Sequence, residues 1–241
     1  RALTGGERPL SVTLTFLEGE RAVDYARRLS GAGLDGEGFL RLVERPGVLK
    51  PPYVEGEGLE GYLFPATYTF DLLATPEEVV GAMLRRFAQE LSPSVRALLA
   101  ERGLSVHQWV TLASIVQQEA GSEEEMPYIA GVFLNRLARG MPLQADPTVA
   151  YALGKPLPEL SRRAGDFAVD SPYNTYRYRG LPPGPIGNPG RKALLAVLNP
   201  VRQDERGRPY LYFFHARGRL FLNAEFEAHL RDLVRYRYAS P

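Results

Sequence analysis

The chain has 241 residues, a formal net charge of +1, 44% hydrophobic and 24% charged residues, and no cysteine. That length suffices for one large domain or two small ones, while the near-zero charge excludes an overall field for capturing nucleic acid and the lack of cysteine excludes disulfides and thiol chemistry. No apolar run approaches the roughly 18 residues that a membrane span requires.

Val12, Leu14 and Phe16 alternate with Thr13 and Thr15, the pattern of a half-buried strand. Glu18-Gly-Glu20 turns the chain into a short helix carrying Val23, Ala26 and Leu29 and stopped by Gly31. A second helix is expected over Phe39 to Val43, ended by Pro46 and Pro51-Pro52. Thr75-Pro76 reads as an N-cap followed by proline at the first helical position and starts a helix to about Leu91; Ser92-Pro93 repeats the signal for a shorter helix ending near Gly103. Ser105, with Gln108 three residues on, is a capping box that opens the next helix. Ser122 to Met126 starts another, with Ile129, Val132, Phe133 and Leu137 on its apolar face, Gly140 as its stop, and Glu123, Glu124 and Glu125 as first-turn acids complementing the helix dipole. Tyr210 to Phe214, Gly218 and Leu220-Phe221-Leu222 suggest a hairpin, after which Asn223 is expected to cap a final helix to about Tyr236.

On the helix begun by Ser105, Leu112, Ala113, Val116 and Ala120 form an apolar stripe counted from Trp109, and Glu119 falls between its last two members. A carboxyl partly desolvated there has a raised pKa, which lets a general acid hold its proton near neutral pH. The alternative for one isolated glutamate is a packed stem with its head in water. Downstream, Leu143-Gln-Ala-Asp-Pro-Thr-Val149, Ser171-Pro-Tyr-Asn-Thr-Tyr176 and Gly180-Leu-Pro-Pro-Gly-Pro-Ile186 are polar and aromatic stretches of Pro-rich, non-helical chain, the kind that lines a site on a rigid scaffold. Asp146 reads as a turn or cap residue whose oxygens are used on backbone amides. Ser114 has no nearby His or Lys to activate it, and His107, His215 and His229 lack metal-ligand spacing. Tyr176-Arg-Tyr-Arg179 and Tyr236-Arg-Tyr238 interleave aromatic and basic residues but are too short to signal nucleic acid.

Together with Leu59-Glu-Gly-Tyr-Leu-Phe-Pro65, these strings make the chain resemble the YceG-like (MltG-type) endolytic murein transglycosylases from about Val12 to the C-terminal helix. The resemblance implies an α+β fold in which a small LysM-like subdomain (1–72) precedes a mainly helical, lysozyme-like catalytic domain (73–241) ending in a β-hairpin. It implies cleavage of the β-1,4 bond between N-acetylmuramic acid and N-acetylglucosamine in peptidoglycan without water, metal or cofactor, leaving 1,6-anhydro ends, with Glu119 as general acid and then base. The substrate-binding positions it suggests are Gln144, Asp146, Thr148, Tyr173, Asn174, Thr175 and Tyr176, with Glu60 and Tyr62 from the subdomain, although Tyr62 in its apolar string fits a core equally well. Pro182, Pro183 and Gly184 would shape the wall. One departure stands out: the family usually carries two Glu two apart in the first motif, and Gln117 takes the earlier place here. The implied partners are glycan strands and penicillin-binding-protein synthases. The implied location is the extracytoplasmic, periplasmic side of the inner membrane, through an N-terminal anchor ahead of Arg1. Two other readings stay open: a hydrolytic muramidase using Glu119 and Asp146, and a non-catalytic glycan-binding scaffold of the cell-wall machinery.

Overall fold

In the computed structural model, which describes residues 10–238, β1 (Ser11–Thr15) lies antiparallel to β2 (Thr67–Asp71), with Val12 opposite Phe70 and Leu14 opposite Tyr68. The outward threonines meet across the pair, Thr13 Oγ1 on Thr69 Oγ1 and Thr15 Oγ1 on Thr67 Oγ1, both at 2.8 Å. Between the strands run α1 (Ala22–Gly31) and α2 (Gly36–Glu44). The buried stripe of α1 is Ala22, Tyr25, Ala26 and Leu29; Val23, expected inward, is only half-buried because Tyr25 takes the central place. Gly36 permits the close approach of α2, since a Cβ there would stand 2.1 Å from the Ala26 carbonyl oxygen.

The strand–helix–helix–strand unit has no core of its own. Phe16, Tyr25, Leu29, Phe39 and Phe70 belong to the same buried cluster as Trp109, Val110 and Leu194.

The rest is mainly helical: α3 (Pro76–Ala88), α4 (Pro93–Glu101), α5 (Val106–Glu119), α6 (Met126–Ala138), α7 (Asp146–Leu153) and α8 (Arg191–Leu198), then the hairpin β3 (Tyr212–Ala216) with β4 (Arg219–Asn223), and α9 (Phe226–Asp232). Local capping chemistry sets several starts. Thr75 and Ser92 accept the amides of Glu78 and Val95, and Ser105 and Gln108 exchange bonds of 3.1 and 3.0 Å. The helix α3 stops three residues short of Leu91, because Glu90 and Leu91 turn back onto the carbonyls of Phe87 and Ala88 ahead of Pro93.

The helix α5 is the spine. Trp109, Val110, Leu112, Ala113, Ile115 and Val116 are all buried, and Trp109 Nε1 donates to the Leu194 carbonyl of α8 at 2.8 Å. Ser114 Oγ donates to the Thr111 carbonyl and accepts the Ile186 amide, while Thr111 Oγ1 is buried without a hydrogen-bond partner among the described residues.

Two expectations near the C-terminal end change. The acids Glu123 to Glu125 form a separate 3₁₀ turn, and Glu125 accepts the Gly121 amide at 2.8 Å and meets His215 Nε2 at 2.9 Å, tying the α5–α6 loop to the hairpin. Asn223 does not cap the last helix. It ends β4, where its carbonyl accepts the Leu211 amide, and its Nδ2 donates to Asp232; Glu225 holds the N-cap position, and α9 passes into a π-helical turn over Leu233–Tyr238. Among the described residues no helix is long and apolar enough to cross a membrane.

Gly131 in α6 faces the backbone of residue 201, whose amide is fixed on the Pro127 carbonyl, and an added Cβ would lie 1.9 Å from the Val201 oxygen. Replacing a mid-helix glycine by alanine ordinarily stabilises by roughly 0.5–1 kcal/mol. Gly131→Ala is expected to lower the melting temperature instead, and an unchanged or higher Tm would show that the 201 segment is free to retreat.

Candidate active site

Glu119 closes α5, and the extended backbone of Ala120 (φ −74°, ψ 131°) ends the helix there. Its carboxyl is half-buried. Asp146, the first residue of α7, and Arg136 of α6 are the charges that act on it, and among the described residues no group hydrogen-bonds it. Burial pushes Glu119 up to about 8; the like charge of Asp146 adds to this, and Arg136 draws it back.

Asp146 does not serve the backbone amides expected of a cap. Its Oδ1 accepts the Tyr176 hydroxyl. Pro147 offers no amide at the next position, and the Thr148 amide is taken by the Ala145 carbonyl at 3.1 Å, so the Asp146 carboxylate turns to a tertiary partner. Tyr176 is fixed in turn by Arg162 Nη2, which donates to its oxygen at 3.3 Å, and by the Phe167 ring, set edge-on at 5.1 Å. Burial first, and then the hydrogen bond to Asp146 and its charge, push the Tyr176 phenol up.

Thr148, Asn174 and Thr175 are fully buried, which corrects their assignment as substrate contacts. Thr148 Oγ1 donates to the Ala145 carbonyl at 2.7 Å and lies 2.8 Å from Thr175 Oγ1, which also accepts the Ala145 amide. Asn174 Nδ2 donates to the carbonyls of Phe167 and Val169, and its Oδ1 accepts the Tyr176 amide. Thr148 and Thr175 staple the 171–176 loop to the start of α7, and Asn174 ties the same loop to residues 167–169, so that Tyr176 is aimed at Asp146. Gln144 stays exposed, in a left-handed conformation (φ 52°) that is costly for a residue with a Cβ.

Arg136, which nothing in the motif reading singled out, holds this segment from beneath. Its Nε donates to the Leu211 carbonyl and its Nη1 to the Leu143 carbonyl, both at 2.7 Å, so it joins the hairpin to the residue before Gln144. It is buried and has no carboxylate within ion-pair distance among the described residues. The available signal was its position, one turn from Phe133 and Val132 on a helix whose apolar face should exclude a cation.

Glu60, Tyr62 and Tyr173 lie elsewhere. Glu60 accepts the Ala22 amide on both oxygens, at 3.0 and 3.2 Å, and Asn188 Nδ2 at 3.0 Å, while burial pushes it up to about 7. Tyr62 is core: fully buried, with its hydroxyl 2.8 Å from His107 Nδ1, and His107 Nε2 lies 2.7 Å from the Pro183 carbonyl. Tyr173 packs on Tyr151 with ring centroids 4.8 Å apart. Glu60, Tyr173, Pro183 and Gly184 line a cavity of about 930 Å³ that does not include Glu119. Gln117, where the second motif glutamate would stand, accepts the Gly190 amide at 3.0 Å.

Fold and site together define an α+β protein built around one protonatable carboxyl at the end of a buried helix. The YceG-like family matches residues 1–235. An endolytic murein transglycosylase of Bacillus subtilis (strain 168) is 35% identical over 230 residues, covering 88% of this chain and 61% of that protein; one of Streptococcus pneumoniae (strain D39) is 33% identical, covering 95% and 45%. This chain thus spans only part of the length of those relatives. The crystal structure of a YceG-like protein from Listeria monocytogenes matches with a TM-score of 0.78 at 33% identity, over 91% of this chain and 75% of that one. The chain belongs to the YceG-like family.

Because Glu119 titrates near 8 in the folded chain and near 4.5 when unfolded, the native state retains a proton that the unfolded state has released. Stability therefore falls as pH rises between those values. Glu119→Gln removes the penalty, so its Tm advantage over the wild type is expected to grow from pH 4 to pH 9, by roughly 2–4 °C for each kcal/mol relieved. A Tm difference independent of pH would contradict the shifted pKa.

Proposed function

We propose that this chain is an endolytic lytic transglycosylase that cuts the β-1,4 bond between N-acetylmuramic acid and N-acetylglucosamine in peptidoglycan. The observation that carries the reading is the half-buried Glu119 carboxyl, without a hydrogen-bond partner among the described residues and raised to about 8, so that it is protonated at neutral pH. The names of the relatives, endolytic murein transglycosylases, support the substrate class.

In this mechanism Glu119 gives its proton to the glycosidic oxygen as the C1–O bond breaks. Positive charge builds at C1, and the negative charge of Asp146, steadied by the Tyr176 hydroxyl, favours it. The C6 hydroxyl of the same muramic acid then attacks C1, and its proton goes to the Glu119 carboxylate. The acid is thereby restored, an anhydro ring closes and no water is consumed. Arg136, whose charge favours the ionised form of Glu119, eases the interval between the two proton transfers. The reading sets the working site outside the cytoplasmic membrane, where murein lies, with glycan-strand synthases as its neighbours.

A hydrolytic muramidase is the second reading, and the charge of Asp146 acting on Glu119, from a carboxylate not spent on backbone amides, favours it. Digestion of purified peptidoglycan in heavy-oxygen water separates the two. Mass spectrometry is expected to find 1,6-anhydro ends without label. Solvent oxygen at the new muramic acid end would establish the hydrolase, and glycan binding without cleavage would establish the scaffold.

Glutamine keeps the shape of Glu119 but cannot deliver a proton, so Glu119→Gln is expected to lower the cleavage rate by about 10²- to 10⁴-fold or more with the fold intact. Near-normal turnover would remove Glu119 from the chemistry. Asp146→Asn takes away the like charge that helps to raise Glu119, so the alkaline limb of the pH–rate profile is expected to move to lower pH. A limb that stays in place would show that Asp146 does not act on Glu119.

A further inference from the structure

A groove of about 380 Å³ passes Gln118, next to Glu119, and Pro147, next to Asp146, and reaches Arg21 and Tyr151. The same two residues open onto the 930 Å³ cavity floored by Glu60. The Arg21 guanidinium lies 4.5 Å over the Tyr151 ring, so this stack is the partition between the two spaces. Tyr151 stands five residues along α7 from Asp146, about 7.5 Å at the helical rise.

The cavity is charged in a particular way. Arg21 contributes a guanidinium whose Nε is buried without a hydrogen-bond partner, an arrangement that costs free energy unless a ligand supplies the acceptor. Arg27, paired with Asp24 at 2.8 Å, also lines the cavity. Glu55 and Glu57, both exposed, stand on the wall made by the 55–58 segment. Tyr151 and Tyr173 supply apolar surface between them. An uncharged sugar chain has no use for a lining that carries both cationic and anionic groups. A short peptide bearing both carboxylates and a free amine does, and in peptidoglycan such a peptide hangs from the lactyl group of the muramic acid whose C1 would react at Glu119.

We propose that the cavity behind the Arg21–Tyr151 stack receives the peptide stem of that muramic acid, with stem carboxylates on Arg21 and the free amine of the diamino acid on the Glu55 and Glu57 wall. This assignment rests on the transglycosylase reading above and names a specificity determinant for it. Stem-bearing strands bind through two more ionic contacts than bare glycan, so the stem acts on KM and leaves the chemical step alone.

The test compares glycan strands carrying stems with the same strands stripped by an amidase. The wild type is expected to show a lower KM on the stem-bearing strands. Arg21→Gln should raise that KM about tenfold, the effect of losing one charge-assisted hydrogen bond, and bring it part of the way to the value for stripped strands with kcat unchanged; Arg21→Lys, which keeps the charge, should recover part of the preference. Glu55→Gln combined with Glu57→Gln, at exposed positions that do not threaten folding, should raise KM for stems with a free amine and not for stems whose amine is acetylated. The proposal is overturned if the wild type shows no stem preference or if Arg21→Gln acts equally on both substrates; cleavage would still leave the transglycosylase reading standing. If neither strand is cleaved, that reading fails on its own, and calorimetric titration of the isolated stem peptide decides the cavity: binding lost in Arg21→Gln supports it, and no binding refutes it.

Discussion

A carboxyl that is to serve as the acid proposed for Glu119 has to be held away from water and yet within reach of a polar substrate, and the burial of α5 suits both demands. Trp109, Leu112, Ile115 and Val116 are each fully enclosed, and each contributes roughly 1.5–3 kcal/mol of burial. That is ample to offset a cost of roughly a few kcal/mol for a misplaced carboxylate when Glu119 ionises. The helix ends where its apolar surroundings end, so its last side chain emerges into the site from a rigid support. Function on the terminal residue of a buried helix therefore needs little precision from loops.

What loops do contribute is fixed by fully satisfied polar groups. Asn188 is buried, and its Oδ1 accepts the amides of Gly61 and Leu63, while its Nδ2 reaches the Glu20 carbonyl and Glu60. One side chain thus binds the first unit to the segment that precedes α8. Thr175 does the same between the 171–176 loop and α7, and Arg136 between α6, the hairpin and Leu143. Removing one partner from such a junction leaves others buried and unpaired, which is costlier than loss of the single bond. The left-handed backbone of Gln144 persists between two of these anchors, as expected of strain that its surroundings over-determine.

These particulars explain what could be read in the sequence. The starts of α3, α4 and α5 were legible because a cap is a local exchange of hydrogen bonds between residues three apart, as at Ser105 and Gln108. Glu119 was legible because a stripe at helical spacing states which face is buried. Thr148, Asn174 and Thr175 were misread because residue type says that a side chain will hydrogen-bond, not whether its partner is a ligand or the chain itself. Asp146 was misread for a related reason: acceptance from an amide three residues on and acceptance from Tyr176, 30 residues away, leave the same trace in sequence. Arg136 broke the apolar pattern of α6, and its role depended on carbonyls 7 and 75 residues away.

Under the proposed mechanism, the two charges around Glu119 oppose one another because one carboxyl is used twice. An acid raised too far would protonate the leaving oxygen poorly, since its proton would be held too tightly, while one left near its ordinary value would be ionised before the substrate arrived. Burial and Asp146 move Glu119 upward, and Arg136 limits the rise by stabilising the anion, which in that mechanism exists only between the two proton transfers. Arg136 makes no ion pair with Glu119 among the described residues; its Nε and Nη1 donate instead to the carbonyls of Leu211 and Leu143. A direct ion pair would fix Glu119 as a carboxylate and end its service as an acid. A buried arginine without a carboxylate of its own suits the proposed role of Glu119, in which one residue acts first as acid and then as base.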